Sequence, residues 1–474
     1  MNSKAVLDIF KTIATIPRES GHEEKITRWL VDWAEMHNLE HRKDKTGNVL
    51  IVRRAAEGKE NVPTIVLQAH QDMVCEKAKH SAHNFETDPL KYVIKDGWMI
   101  AEETTLGADD GIGIAACLAL LEDKTPTGKI ECLFTISEET GMDGAFALKP
   151  GFFEGRTLIN LDSEDEGQLF IGCAGGIHTD ASFRIKTREN IPSSYSCVRL
   201  DIGGGIGGHS GDDINKNRMN AVQELARFLY YELKYGFLLI SIDGGGKSNA
   251  IAREAEAVIA VENAEDTIER FKSFSKDILN EFHTTEPDLT FSSTVVKSNR
   301  RAVDKRTCRK IITSLFICPH GVYSMNQDID GLVETSTNLA SVHTLEDSVK
   351  IQTSQRSSQK SQCDLIAAKV EANFKTFGAV TIHNNGYPGW APDMNSNILN
   401  ICVESYRELF NQEPEVKAIH AGLECGLFLE KFPGLDMISF GPTLRGVHAP
   451  GEKLDLASLD KFVMLLEDVV CRFR

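Results

Sequence analysis

Apolar runs of strand length alternate with helical patterns from Lys4 to about Leu161, and that rhythm restricts the chain to an α/β fold, a mostly parallel sheet with helices on both faces. The expected strands are GNVLIVRR, VPTIVLQA, KIECLFTI and TLINL. A first helix ends near Pro17. A second starts from Ser20, where Glu23 three residues on completes a capping-box pattern. From about 178 to 388 the order becomes strand, helix, strand, strand, helix, running from SYSCVRLDI to TIERFKSFSKDILNEF. That order recurs from DLTFSSTVV to DLIAAKVEANF, so the insert reads as an α+β domain built from a doubled split βαβ module. After the YPGW turn the α/β pattern resumes with helix ILNICVESYRELF, strand LDMISFG and a closing amphipathic helix. A chain of 474 residues exceeds what one hydrophobic core commonly supports. The expected organisation is a sheet domain formed by 1–177 and 389–474, interrupted by a lid domain at 178–388.

Charge narrows the partners. With 52 Lys and Arg against 69 Asp and Glu, the net charge of -17 repels phosphate backbones and anionic membrane surfaces, so neither nucleic acid nor membrane is expected. The amino-terminal stretch MNSKAVLDIFKTIATIP carries Asp8 and Lys11 inside an amphipathic pattern, unlike a signal peptide or a span, and a cytoplasmic location is expected. The 11 cysteines include no CxxC pair, which argues against a disulfide framework or a thiolate metal site.

Chemistry concentrates where apolar strands end, the edge at which open α/β sheets place their sites. VPTIVLQA runs into His70-Gln71-Asp72, and side chains two apart in extended chain face one way, so Asp72 can orient a ligating His70. The loop TLGADDGIG puts Asp109 or Asp110 at a helix start, where the dipole favours a carboxylate. KIECLFTIS leads to Glu138-Glu139, adjacent carboxylates that point apart, one suited to a metal and the other to a water. TLINL leads to Asp162, and LDMISFGPTLRG to His448. Each segment alone reads equally well as an ordinary loop. Together, oxygen and nitrogen donors from five separate segments suit a pair of divalent ions bridged by one carboxylate.

The ordered set HQDMV, LGADDGIG, ISEETG, INLDSEDEG, GGHSGDDI, NAIAREA, YPGW and GPTLRGVHAPGE resembles the aminoacyl-histidine dipeptidase branch of the carnosinase and aminoacylase-like zinc exopeptidases. The resemblance spans nearly the whole chain. It implies His70 and Asp162 on one metal ion, Glu139 and His448 on the other, and Asp109 bridging both, with zinc the expected metal and cobalt or manganese the alternatives. It further implies Glu138 as general base and Asp72 as the residue that orients His70. Within the insert it implies that His209 donates to the reaction's oxyanion, and that Asn249 and Arg356 grip the substrate backbone and terminal carboxylate. The implied substrate is a dipeptide, Xaa-His included, and a homodimer is the family-level expectation.

Two departures stand out. Ala252 occupies the place of a proline in the family's NAIPREA stretch, and Asp110 that of an asparagine common beside the bridging aspartate. No role is assigned to Asp110. The same kind of site also admits an N-acyl amino acid or a tripeptide, and a chain that keeps the fold without activity would be a scaffold protein. The ligands and the base are all present here, which disfavours the last reading.

Overall fold

The structure, a computed structural model, describes residues 1–186, 188–299 and 301–473. The chain divides into two compact units, Met1–Cys173 with Trp390–Ala418 and Leu423–Arg474, and Ala174–Gly389 with Ile419–Gly422. Among the described residues no helix is long and apolar enough to cross a membrane. All 11 cysteines are free, nine of them buried.

The first unit is organised on an eight-stranded sheet. Its centre is four parallel strands in the order Ile130–Thr135, Ile65–His70, Thr157–Asn160, Asp436–Ser439. The first three are buried at every position, as unbroken apolar runs must be when helices cover both faces of a parallel sheet. The helix Ala108–Glu122 is apolar almost all round and correspondingly buried, which fixes its amino terminus beside the ends of these strands. A separate four-stranded antiparallel sheet pairs Lys453–Asp455 with both Leu444–Arg445 and Trp98–Ala101, so residues 446–452 form the loop of a short hairpin. The sequence patterns at Trp98–Ala101 and Tyr92–Lys95 are too short to announce themselves as strands.

The expected capping box at the second helix is not formed. That helix spans Glu24–Met36, and no side chain caps it. Ser20 bonds instead to Asp72 and Glu23 to Ser137, because both are drawn to partners with unpaired backbone or carboxylate groups in segments distant in sequence.

The second unit is a nine-stranded antiparallel sheet with helices Ala221–Glu232, Ala264–Glu281, Lys305–Phe316 and Lys360–Thr376. Its path reads as two modules. Ser196–Gly203, Leu238–Gly245, Ala255–Val261 and Thr290–Val296, the first to fourth strands of one module, lie in spatial order four, one, three, two. Gly175–Arg184, Val333–Thr344, Ser348–Ser357 and Val380–Tyr387 repeat that arrangement, and the modules join where Gly244 and Gly245 pair with Val342 and Ser341. DLTFSSTVV closes the first module rather than opening the second, whose first strand lies before the first module begins. A linear scan cannot see a repeat that starts upstream of the unit inserted into it.

Apolar faces of both modules share one core in which Phe374, fully buried, meets Phe183 edge-on at 6.4 Å. Phe374→Ala is expected to cost ~3–5 kcal/mol in the urea unfolding of this unit, the usual loss for an aromatic-to-alanine cavity. A loss below ~1 kcal/mol would mean that the helix Lys360–Thr376 does not pack on its module's strands through this ring.

Candidate metal centre

Asp109 stands between two imidazoles. Its Oδ1 lies 3.0 Å from His70 Nε2 and its Oδ2 lies 3.2 Å from His448 Nε2. On the His70 side Asp162 Oδ1 approaches the same Nε2 at 3.3 Å, and on the His448 side Glu139 Oε1 approaches at 2.8 Å. One carboxylate therefore presents each of its oxygens to a separate pair of donors. All five residues expected as ligands converge in this way, each with a nitrogen or oxygen that coordinates divalent cations.

The sequence left Asp109 and Asp110 as alternatives, and the hydrogen bonds distinguish them. Asp110 accepts from the Gly113 backbone N–H at 3.1 Å, which makes it the helix cap, and from the His70 backbone N–H at 3.2 Å. One ligand atom each of His70, Asp110 and Asp162 lie within 4.8 Å of one another, as do those of His70, Asp109 and Glu139. Proximity alone thus favours neither aspartate. Both oxygens of Asp110 are already occupied by amides, whereas those of Asp109 face imidazoles, so Asp109 is the better donor.

Asp72 is the node behind the donors. Its Oδ1 lies 3.3 Å from His70 Nδ1, its Oδ2 accepts from Ser20 Oγ at 2.8 Å, and its two oxygens receive the backbone N–H groups of Glu138 and Glu139 at 3.0 and 3.2 Å. Burial opposes its ionisation, but these bonds and the His70 charge hold the carboxyl down to about 2. Glu138 and Glu139 are not in extended chain, as their place after a strand suggested. The strand ends at Thr135, Ser137 takes a left-handed φ of 53°, and Glu138–Gly141 is one helical turn. The buried carboxylate of Glu23 fixes that bend by accepting from the Ser137 backbone N–H and hydroxyl, each at 3.0 Å.

Three further supports carried no sequence signal. Buried Arg18 donates to the carbonyls of Gln71 at 3.0 Å, Asp72 at 2.6 Å and Gly107, tying the two ligand loops together. Buried Glu452 accepts from the backbone N–H groups of Leu106, Gly107 and Ala108 at 2.7, 3.0 and 2.9 Å, so the hairpin that carries His448 also clamps the approach to Asp109. Beneath them a buried chain runs from Asn160 to Gln68 at 2.6 Å, and on to Glu424, which also accepts from Thr135. An isolated Arg or Glu in sequence gives no hint of the carbonyl or amide it will meet.

The electrostatics match a cation site. Burial raises Asp162 well above the usual carboxylate range and pushes Glu138 up to about 8, with Glu139, Asp109 and Asp72 adding repulsion. Hydrogen bonds to Asp109 and Glu139 lift His448 to about 10, and neighbouring carboxylates raise His70 despite its burial. Carboxylates packed this closely need positive charge, and among the described residues the imidazoles and, behind Asp72 and Asp109, the buried Arg18 guanidinium supply it. Divalent cations fit the same donor set without asking the imidazoles to be charged.

The second unit holds the other three expected residues. His209 Nδ1 lies 3.2 Å from Asp212 Oδ2, and its Nε2 lies 3.4 Å from Arg356 Nη2. Arg356 is buried, donates to the Tyr387 hydroxyl at 2.9 Å, and leaves its Nε without an acceptor. Asn249 is exposed, on a turn whose carbonyl accepts from Ser210 N–H at 2.8 Å. Ala252 is buried, and its carbonyl accepts from Ala221 N–H at 2.8 Å, so the turn is anchored without a proline.

Known proteins share both the sequence and the fold. The profile of "Peptidase family M20/M25/M40" matches residues 66–472. The cytosol non-specific dipeptidase of Escherichia coli (strain K12) is 38% identical over 99% of this chain and 98% of its own length. The crystal structure of aminoacylhistidine dipeptidase from Vibrio alginolyticus superposes with a TM-score of 0.92 at 37% identity, covering 99% of this chain and 96% of that one. Aminopeptidase PepT from Bacillus cereus, at 17% identity and a TM-score of 0.60 over 99% and 98% of the two chains, shares the fold.

Glu452→Ala removes the acceptor of three backbone amides next to Asp109. Titration of chelator-treated protein with zinc or manganese, monitored by calorimetry, is expected to show affinity reduced by ~10–100-fold with the fold retained. Unchanged affinity would show that the clamp does not position the donors.

Proposed function

The chain belongs to peptidase family M20/M25/M40, and from that premise we propose that it is a metal-dependent dipeptidase of broad specificity, Xaa-His dipeptides included. The observation that carries the reading is Asp109, one oxygen toward His70 and Asp162 and the other toward His448 and Glu139. The names of two similar proteins, a cytosol non-specific dipeptidase and an aminoacylhistidine dipeptidase, support the substrate class and a cytoplasmic location.

His70, Asp109 and Asp162 would hold one divalent cation, and Asp109, Glu139 and His448 the other, zinc being the best match to this mixture of imidazole and carboxylate. When bound, such a pair supplies Lewis acidity and lowers the pKa of water. Asp72 holds His70 through Nδ1, leaving Nε2 free to bind. Glu138 receives the proton of the attacking water on its carboxylate and returns it to the nitrogen of the leaving amine. A base needs a proton affinity near the working pH, and burial among other carboxylates provides it.

From the second unit, His209 is assigned as donor to the oxyanion, and Asn249 and Arg356 as the residues that hold the substrate backbone and its terminal carboxylate. Arg356 supports this through its own electrostatics. Among the described residues, no carboxylate pairs with this buried guanidinium within 4.0 Å. The Asp212 carboxylate feels this charge without pairing with it, and a substrate carboxylate would supply the direct ion pair with bidentate geometry.

Ala-His, Gly-Leu and β-Ala-His are expected to be hydrolysed by metal-loaded protein, and a tripeptide and an N-acetyl amino acid to be left intact. Chelation should abolish turnover, and Glu138→Gln should lower kcat by at least ~10²-fold. Arg356→Ala should raise KM more than it lowers kcat. Turnover of only the acetylated substrate would make the protein a deacylase, turnover of only the tripeptide a tripeptidase, and no turnover with metal bound a scaffold; each result would overturn the proposal.

A further inference from the structure

A groove of about 910 Å³ in the second unit lies between the helices Ala221–Glu232 and Lys305–Phe316, and its charge runs against that of the chain. Lys305, Arg306, Arg309 and Lys310 line it from one helix and Lys234 from the end of the other, with no carboxylate among the lining residues. Among the described residues none of these five cations has a carboxylate partner within 4.0 Å. They belong to a basic stretch of sequence, KSNRRAVDKRTCRK with Lys234 added in space, whose own seven basic residues accompany one acid, Asp304, in a chain of net charge -17.

The placement is locally unfavourable. Lys305 and Arg306 occupy the first turn of their helix, at the positive end of its dipole, and that turn contains no acidic residue. Lys305 with Arg309, and Arg306 with Lys310, are like-charged pairs four apart, each of which destabilises a helix. The Asp304 side chain is spent on the Thr307 backbone N–H at 3.0 Å. Glu189 Oε1 reaches only the Lys305 backbone N–H, at 3.4 Å, so an external anion remains the partner for the five side-chain cations.

Aromatic rings border the cations. Tyr230 and Tyr231 line the groove at 36% and 47% exposure, and Tyr230 is held flat against Phe316, 4.1 Å between centroids and 6° from parallel. We propose that this groove binds a nucleoside polyphosphate, its phosphates among the cations of Lys305–Lys310 and its base against the tyrosines. Guanidinium groups match phosphate oxygens bidentately, and planar bases stack on aromatic faces. The volume suits one such molecule, since small-ligand sites span roughly 300–1,000 Å³. A long polyanion would meet the repulsion of the whole chain. A single nucleotide, shorter than a few Debye lengths, responds to the local potential. The inference is independent of the peptidase reading.

Calorimetric titration of the intact metal-loaded protein with ATP at low salt tests it, with inorganic tripolyphosphate, adenosine and a short oligonucleotide as comparisons. ATP is expected to bind saturably, and tripolyphosphate and adenosine each at least about tenfold more weakly, because each lacks one half of the contacts. Arg306→Glu with Arg309→Glu should weaken ATP by more than about tenfold, while dipeptide hydrolysis reports that the variant is folded. ATP taken up at the metal centre instead would survive that charge reversal, and this outcome would overturn the proposal. Tyr231→Ala should weaken ATP and leave tripolyphosphate unchanged. No saturable ATP binding, tripolyphosphate as tight as ATP, or preference for the oligonucleotide would each overturn it as well.

Discussion

Two imidazoles reaching opposite oxygens of one half-buried carboxylate is the interaction to which the rest of the first unit is fitted. Bringing Asp109, Asp162, Glu138 and Glu139 together away from water is unfavourable, and the fold offsets this with rigidly placed amides and charges. Asp72 collects the backbone N–H groups of Glu138 and Glu139, Arg18 collects the carbonyls of two ligand loops, and Glu452 collects three amides before Asp109. Each support is buried; Arg18 and Glu452 bond to backbone, and Asp72 divides its bonds between backbone amides and the side chains of His70 and Ser20. The donors are held by loops whose shape is dictated from behind, which is how irregular chain at a sheet edge acquires the precision of a regular element.

Much of this was legible in the sequence because it depends on period and position. Unbroken apolar runs such as IVLQA and IECLF identify buried parallel strands, and the residues just beyond them must lie at the sheet's carboxyl edge, so His70, Glu138, Glu139 and Asp162 could be singled out. Features that depend on partners remote in sequence were not legible. Ser20 and Glu23 have the spacing of a capping box, yet their oxygens meet Asp72 and Ser137, residues whose nearness exists only after folding. Asp109 and Asp110 are chemically alike and adjacent, and only the amides of His70 and Gly113 separate the cap from the donor.

The second unit shows the same limit at larger scale. Each helix and strand pattern was readable, but the pairing that makes Thr290–Val296 the fourth strand of one module and Gly175–Arg184 the first of the other is set by the sheet, where register and neighbours are decided together. Its electrostatics are likewise collective. Among the described residues, neither buried Arg356 nor the groove-lining Lys305, Arg306, Arg309 and Lys310 form an ion pair with a carboxylate. Both arrangements leave positive charge for a partner from outside, and an overall charge of -17 conceals both.

The most direct test of the Asp109 centre is a crystal structure of the metal-loaded protein with anomalous diffraction recorded at the absorption edge of the bound metal. Two peaks are expected, one within coordination distance of His70 and Asp162 and one of Glu139 and His448, with a different oxygen of Asp109 on each. A single peak, or two peaks with Asp110 rather than Asp109 between them, would contradict the account.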